Sequence, residues 1–594
     1  MRGRKLEKFP DRFLFKKSAS RLVRKVVAMN GDTAHLIVAA DVEAEVIASA
    51  EGLSFWGGVD PATGIVIDAH HPLHGQSLAD KIVLMPTSRG SCSGSGVLLQ
   101  LALNNLAPAA LIFREDEEVL TLGAVIASRM FDKTIGVLRL APDDYDRLCS
   151  QRTARLQSGR LTADGVSIDL REARQSDLEL TPSDKSMLAG DLGKPVALAM
   201  EVISAMASSQ GATRLINVTR GHIDGCIYAH DANLIFAEAV AEMGAKVAIP
   251  TTINAISVDR ENWTTHNLPP DFGNAASRLA DAYVRMGARP TFTCAPYLAD
   301  DLPQLGEDIG WSESNAVIFA NSVLGARTAK HPDYLDLFIA LTGRAPETGV
   351  YLPENRRAGI VIDVDLPEGY DDALWPLLGW IAGRLAPDRV PLLKGLEHAK
   401  PTRDDLRAVC AAFGTTSAAP LLHVAGVTPE GDRAPTSDAG QARITQADLA
   451  EAWATFNTGA QKVDLIALGS PHFSLEETRC FADLMEGARI HPGVAVIITL
   501  GRDVQAKARA EGLIKRLQPA GVQFYADLCW CSIVEPIFPT ATKTLMTNSG
   551  KYAHYAPGLS GRSVRFGSLA DCARTAVTGL APTGPPDWLA PGLA

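Results

Sequence analysis

The sequence predicts an α/β protein with several domains. A large part builds parallel sheets around a cleft, and a small β-rich domain precedes it. Three observations carry this prediction. From about residue 181 onward, short apolar β-like runs alternate with helical periods, the pattern of parallel α/β units. Before residue 150 the runs are shorter and are broken by Gly and Pro turns. The chain has 594 residues, too many for one core, which sets an expectation of two to four domains.

The elements follow in order. Residues 1–29 read as a basic extension. A start at Met29 explains them equally well, whereas Glu7, Pro10 and Asp11 spoil the amphipathic helix a mitochondrial presequence needs. Residues 30–155 form the small domain, with β-like runs at Ala34–Ala39 and Glu43–Ile47. Its Gly/Ser loop, Ser88-Arg-Gly-Ser-Cys-Ser-Gly-Ser-Gly96, leads into the apolar stretch Val97–Leu103. Residues 156–180 are polar and read as a connector. The large domain spans 181–594 and opens on Thr181-Pro182-Ser183-Asp184, a helix N-cap signature. Strands are expected at Arg214–Val218, Lys246–Ile249, Pro290–Thr293, Ile360–Val364, Leu421–Val424, Val463–Leu468, Val494–Leu500 and Val522–Tyr525. Helices are expected at His230–Met243 and Asn274–Met286.

Composition narrows the function classes. A net charge of −11 argues against general nucleic-acid binding. No apolar run is long enough to span a bilayer, and no apolar stretch follows the basic start as a secretory signal requires. The nine cysteines include no CxxC pair, so scattered free thiols or ligands gathered from distant loops are expected in a cytoplasmic protein.

Open α/β sheets bind ligands beyond the carboxyl ends of their strands. The loops there read Gly221-His-Ile-Asp-Gly-Cys226, Pro250-Thr-Thr-Ile-Asn254, Cys294-Ala-Pro-Tyr297, Gly469-Ser-Pro-His472, Ala526-Asp-Leu-Cys-Trp-Cys531 and Met546-Thr-Asn-Ser-Gly-Lys-Tyr-Ala-His554. They concentrate Cys, His, Asn, Asp and Lys. Cys226, Cys294, Cys529 and Cys531 are candidate iron–sulfur ligands, because thiolates hold such clusters; buried core thiols are the bland alternative. His222, His472 and His554 are candidate acid–base groups or structural histidines. In the small domain, His70, His71 and His74 read as a metal site or as a loop closing over the crevice. The Gly/Ser loop lacks the Gly-Lys-Ser/Thr of a phosphate loop. It reads as a nucleophile turn at Cys92, as a flexible turn, or as Ser91 and Arg89 meeting an anionic substrate at a helix start.

At these residues the sequence resembles the aconitase X family. The resemblance runs through Arg89-Gly-Ser-Cys-Ser-Gly-Ser95, Gly221-His-Ile-Asp-Gly225, Pro250-Thr-Thr-Ile-Asn254, Cys294-Ala-Pro-Tyr-Leu298, Asn321-Ser-Val-Leu-Gly-Ala-Arg327, Glu354-Asn-Arg-Arg357 and Asn548-Ser-Gly-Lys-Tyr-Ala-His-Tyr-Ala-Pro557. It covers nearly the whole chain from about residue 30. It implies an aconitase-like arrangement with a swivel domain closing the cleft. Two-subunit members dehydrate mevalonate 5-phosphate; single-chain members resemble cis-3-hydroxy-L-proline dehydratases, which yield Δ1-pyrroline-2-carboxylate.

The resemblance also implies roles. Ser91 is expected to take the C2 proton, an iron to polarise the C3 hydroxyl, and His222 or His472 to protonate it as it leaves. Arg89 and Lys551 are expected on the carboxylate, and Asp224, Thr252, Asn254 and Asn321 as further substrate contacts. Two-subunit members carry Cys where this chain has Ser470, so only Cys294 and Cys529 remain of three thiolates. Cys226 is the first candidate for the third and Cys531 the second, which favours a 2Fe–2S cluster. A monomer is expected, because both subunit equivalents are fused. A non-catalytic iron–sulfur regulator and a Cys92 thiol hydrolase are the alternatives of other classes.

Overall fold

The computed structural model of the chain describes residues 34–89, 92–172 and 177–589. The small domain is a nine-stranded mixed sheet. Four parallel strands form its middle, in the order Val42–Ala48, Ile82–Met85, Ala110–Phe113 and Gly136–Arg139. Ile82–Met85 and Ala110–Phe113 are buried at every position, as strands covered on both faces must be. Alternate side chains serve different cores. Val83, Met85, Leu111 and Phe113 face the helices Gly94–Leu103 and Val119–Phe131, within the core shared with the large part. Ile82, Leu84, Ala110 and Ile112 face a separate core under Tyr145 and Leu148.

The segment read as a connector belongs to this sheet. Thr153–Gln157, Arg160–Ala163 and Val166–Asp169 form an antiparallel meander on the edge strand Val42–Ala48. Thr153–Gln157 alternates exposed and buried residues, so two small apolar side chains suffice to hold it.

The large part has three units. The first surrounds two short sheets with helices. Gly221–Ile223 lies between the parallel strands Thr251–Ile253 and Gly310–Trp311, and Leu215–Asn217 pairs antiparallel with Arg344–Pro346. The N-cap at Thr181 forms: Asp184 N donates to Thr181 Oγ1 (3.2 Å) and Thr181 N to Asp184 Oδ2 (2.9 Å). Two expected strands are absent. Val247 and Ala248 give their N–H groups to Met286 and Ala340 at helix ends, so the strand starts later, at Thr251. At Pro290–Thr293 the Thr291 hydroxyl, not a main-chain carbonyl, receives Ile253 N, and Phe292 sits at φ +42°, which breaks the ladder.

The second unit is a parallel four-stranded sheet in the order His423–Val424, Pro391–Lys394, Ile360–Val364, Gly440–Ile444. The third is a parallel five-stranded sheet in the order Val522–Ala526, Ala495–Leu500, Leu465–Leu468, Thr544–Thr547, Ser563–Phe566. The chain runs outward from Leu465–Leu468 to one side and then returns on the other. The strand order therefore reverses between Leu468 and Thr547, where open sheets make a ligand crevice. Among the described residues no helix is long and apolar enough to cross a membrane.

Candidate functional site

All four units meet at one cavity of about 540 Å³. The small domain gives Ser54, Trp56, Asp68 and Ser93; the first unit gives Asp224, Asn254, Cys294, Glu313 and Asp333. Thr415 of the second unit and Cys529, Cys531, Lys551 and His554 of the third complete the wall. The small domain is seated by polar ties. Ser95 Oγ donates to the Asp333 carbonyl (3.3 Å), and Ala232 N donates to Gln100 Oε1 (2.8 Å). Gly96 permits the approach, since a Cβ there would sit 2.8 Å from the Tyr334 hydroxyl.

Three thiols adjoin one another. Cys529 lies between Cys294 and Cys531, and hydrogen bonds from those two thiols hold it well below the usual thiol range. His472 N donates to Cys294 Sγ (3.3 Å) and Cys531 N to Cys529 Sγ (3.5 Å). Asp527, at φ +68°, turns the chain into this loop. Its Oδ2 accepts from Arg260 N at 3.1 Å and from Arg502. Among the described residues no three His, Cys, Asp or Glu side chains converge on a single-ion site. The donors instead form a row of thiols with N–H···S contacts, and that donor set fits a polynuclear iron–sulfur group.

Lys551 follows the strand Thr544–Thr547 at the reversal point, in the first turn of the helix Gly550–Ser560. Its Nζ donates to Glu313 Oε1 at 2.8 Å. Burial pulls the lysine down, but Glu313 and the three thiols hold it well above its ordinary range. Acids gather beside this pair. Burial, then Asp333, Glu313 and Asp336, push the Asp224 carboxyl well above the carboxylate range; burial also raises Asp333, which bonds Ser93 and Asp224. Asn254 Nδ2 donates to Asp224 Oδ1, and Asp224 N donates to Asp336 Oδ2 at 2.6 Å.

Of the residues singled out from the sequence, Asp224, Asn254, Lys551, Cys294 and Cys529 line the cavity. Ser91 lies outside the described residues; Ser93, two positions on, is on the wall. Six others do not meet there. Cys226 is fully buried in the hydrophobic core, and its thiol donates to the Ile223 carbonyl (3.3 Å), so Cys531 and not Cys226 joins the other two thiols. His472 has no free ring nitrogen: Nε2 donates to the Leu528 carbonyl (2.7 Å), which leaves Nδ1 to accept from Thr293 Oγ1 (3.1 Å). His222 is buried, shares a hydrogen bond with Thr252 Oγ1 (2.7 Å), and burial drops its pKa to about 3. Thr252 faces a separate small cavity with Arg289 and Thr293. Asn321 is structural: its amide donates to Thr328 and Pro420 carbonyls, and its Oδ1 accepts from Arg356. Arg89 is half exposed and pairs with Glu51 at 2.8 Å.

Two other readings are settled by burial and placement. The Cys92 thiol is buried and pushed up to about 12, so it is no nucleophile at neutral pH. Asp68, just before the His70–His74 loop, is on the cavity wall, while His71 is buried against Ser49 and the Glu51 carbonyl. Glu313, Lys330, Asp333 and Asn233 went unnoticed in the sequence. Each lies outside a recognised strand-end loop, and His331-Pro332-Asp333 carries no turn pattern that distinguishes it from an ordinary helix entry.

A small sheet domain seated over a thiol-lined cavity, formed where three α/β units meet, defines an aconitase-like class. Matches to known families agree with that architecture. Residues 32–163 match the Aconitase X swivel domain, 177–354 the first domain, 358–454 the second and 463–578 the third. The chain belongs to the aconitase X family. It is 46% identical over 574 residues to the cis-3-hydroxy-L-proline dehydratase of Pseudomonas aeruginosa, covering 94% of this chain and 99% of that protein. It is 45% identical over 569 residues to the cis-3-hydroxy-L-proline dehydratase of Hypocrea jecorina, covering 91% and 94%. The crystal structure of Thermococcus kodakaraensis aconitase X in its holo-form superposes with a TM-score of 0.61 at 32% identity, covering 67% of this chain and all of that one.

Proposed function

We propose that the chain is a hydro-lyase that dehydrates cis-3-hydroxy-L-proline to Δ1-pyrroline-2-carboxylate. The observation that carries the reading is the match at 46% identity across 94% of the chain, small domain included, to a dehydratase of that substrate. The cavity supports it: about 540 Å³ suits a small polar ring, and its walls hold both cationic and anionic groups.

In this reading Cys294, Cys529 and Cys531 hold an iron–sulfur cluster of the 2Fe–2S type. When bound, such a group supplies Lewis acidity toward a leaving hydroxyl. The residues of the chain do the rest. Lys330 and Lys551 offer cationic heads to the substrate carboxylate. The C2 proton goes to a hydroxyl of the Gly/Ser loop, with Ser91 the assigned base. The N–H groups at the start of the helix Gly94–Leu103 favour negative charge there. Ser93, bonded to Asp333, completes that wall. Loss of the C2 proton and the C3 hydroxyl gives an enamine, which tautomerises to the cyclic imine.

The test is incubation of anaerobically purified protein with cis-3-hydroxy-L-proline and detection of the imine. Imine formation that Ser91→Ala abolishes, with visible absorbance unchanged, is the expected result. Failure to act on this substrate, with turnover of mevalonate 5-phosphate, overturns the reading.

A further inference from the structure

Two buried acceptors, on residues that line the cavity, have no hydrogen-bond donor among the described residues. They are Asp333 Oδ1 and Asn233 Oδ1, on residues only 3% and 6% exposed. Leaving a buried acceptor without a donor is costly, so such atoms mark places where a ligand's donors belong. Building on the dehydratase reading above, we propose that Asp333, Asp224 and Asn233 form a receptor for a cationic secondary amine. The site thereby selects cyclic imino acids over carbon rings of the same shape.

Both acceptors are held in place by the rest of the wall. Asn233 Nδ2 donates to the Tyr334 hydroxyl at 3.0 Å, which leaves its Oδ1 free. Tyr334 sits at φ +83°, a left-handed conformation that an aromatic residue rarely adopts. Its ring packs on Phe236 with centroids 4.2 Å apart, and this packing holds the turn that presents Asp333. Asp224 is fixed from both sides, by Asn254 and by its own N–H to Asp336.

The charges agree with this assignment. Glu313 is paired with Lys551, but among the described residues neither Asp224 nor Asp333 is ion-paired. The two carboxyls adjoin each other, and burial raises both above the ordinary carboxylate range, so a cation placed beside them is favoured. A ring NH2+ brings a positive charge to these two unpaired acids and two N–H donors to the two unmet acceptors. In an imino acid this nitrogen adjoins C2, so seating the amine also sets the position of the proton to be removed. A hydroxy acid or a carbocycle leaves the acceptors unmet.

The test is calorimetric binding of L-proline and of cyclopentanecarboxylate, the same ring without nitrogen, to the iron-loaded protein. The variants are Asp333→Asn and Asn233→Leu. The wild type is expected to prefer L-proline. Each substitution should weaken L-proline by about tenfold or more, the loss expected for a charge-assisted contact, and move cyclopentanecarboxylate by less than about threefold. The KM for cis-3-hydroxy-L-proline should rise in parallel. Equal weakening of both ligands, or no change in either, overturns the receptor. A wild type that dehydrates the hydroxyproline but binds both probes equally also removes the receptor, and leaves the dehydratase reading standing. A wild type inactive on the hydroxyproline and blind to L-proline removes both.

Discussion

Lys551 Nζ and Glu313 Oε1 meet at 2.8 Å, and their ion pair joins the third unit to the first across the cavity wall. Both side chains are nearly buried, at 11% and 7% exposure. Glu313 also caps the helix Ser314–Phe319 through Ala316 N (2.8 Å), so it keeps its position if the lysine is removed. Lys551→Met should therefore leave a buried carboxylate unpaired and cost about 3–5 kcal/mol. Glu313→Gln in the same chain should recover much of the stability but none of the turnover. Chemical denaturation and steady-state assay separate the two effects; full stability in Lys551→Met would contradict the pairing.

The three-thiol arrangement is checked by iron content. Cys531→Ser should lose bound iron and visible absorbance. Cys226→Ser should keep both while losing about 1–3 kcal/mol of stability, because a hydroxyl replaces a thiol in an apolar core. Ser470, whose buried Oγ has no partner among the described residues, gives a third comparison. Ser470→Ala removes that unmet group and should leave iron and stability unchanged or slightly raised. Iron loss in Cys226→Ser with retention in Cys531→Ser would reverse the assignment.

Gly96→Val should act on closure of the small domain. Any Cβ at this position would sit 2.8 Å from the Tyr334 hydroxyl and 3.2 Å from the His230 ring, which belong to the first unit. Turnover should fall by at least about tenfold, since small displacements of catalytic groups are costly. The apolar core of the small domain is untouched by the change. Unaltered turnover would show that this contact does not limit closure.

Acid should destabilise the chain through buried histidines. Burial lowers His331 from 6.5 to about 4, so between these values the unfolded chain binds a proton that the folded chain refuses. The stabilising difference is complete above the unfolded value and is lost as pH falls through the window. By pH 5 the loss is about 2 kcal/mol for this residue. Asp336, raised to about 7 by burial and Asp333, acts in the opposite direction, so a variant is needed to isolate the histidine. His331→Gln retains a partner for the Tyr351 hydroxyl and should flatten the dependence of unfolding free energy on pH. An unchanged slope would contradict the shift.

Strand-end loops were legible in the sequence because Gly, Pro and polar residues punctuate apolar runs, and five of the six place residues on the cavity wall, while Gly469–His472 reaches it only through the His472 N–H on Cys294. Side-chain direction was not legible. His472 lies in an expected loop, but it is its backbone N–H that reaches Cys294, while its ring turns away to Leu528 and Thr293. Cys226 and Cys531 looked equivalent as loop thiols. Only the burial of Cys226 in the apolar core, with its thiol on the Ile223 carbonyl, separates them. Asp333 was invisible because its placement depends on Tyr334, and no local pattern announces a left-handed tyrosine. The edge meander at Thr153–Asp169 was missed because its apolar content is low, although its alternation was present in the sequence.

The ties from Ser95 and Gln100 to the first unit have a kinetic consequence. A separate subunit, even one seated by a shared apolar core as well as these hydrogen bonds, would leave once the solution is diluted below its dissociation constant. Here the small domain is on the same chain, so its local concentration stays in the range of about a millimolar at any dilution. Specific activity should accordingly be independent of protein concentration down to the assay limit. If the seat opens for substrate entry, the small domain still cannot be lost.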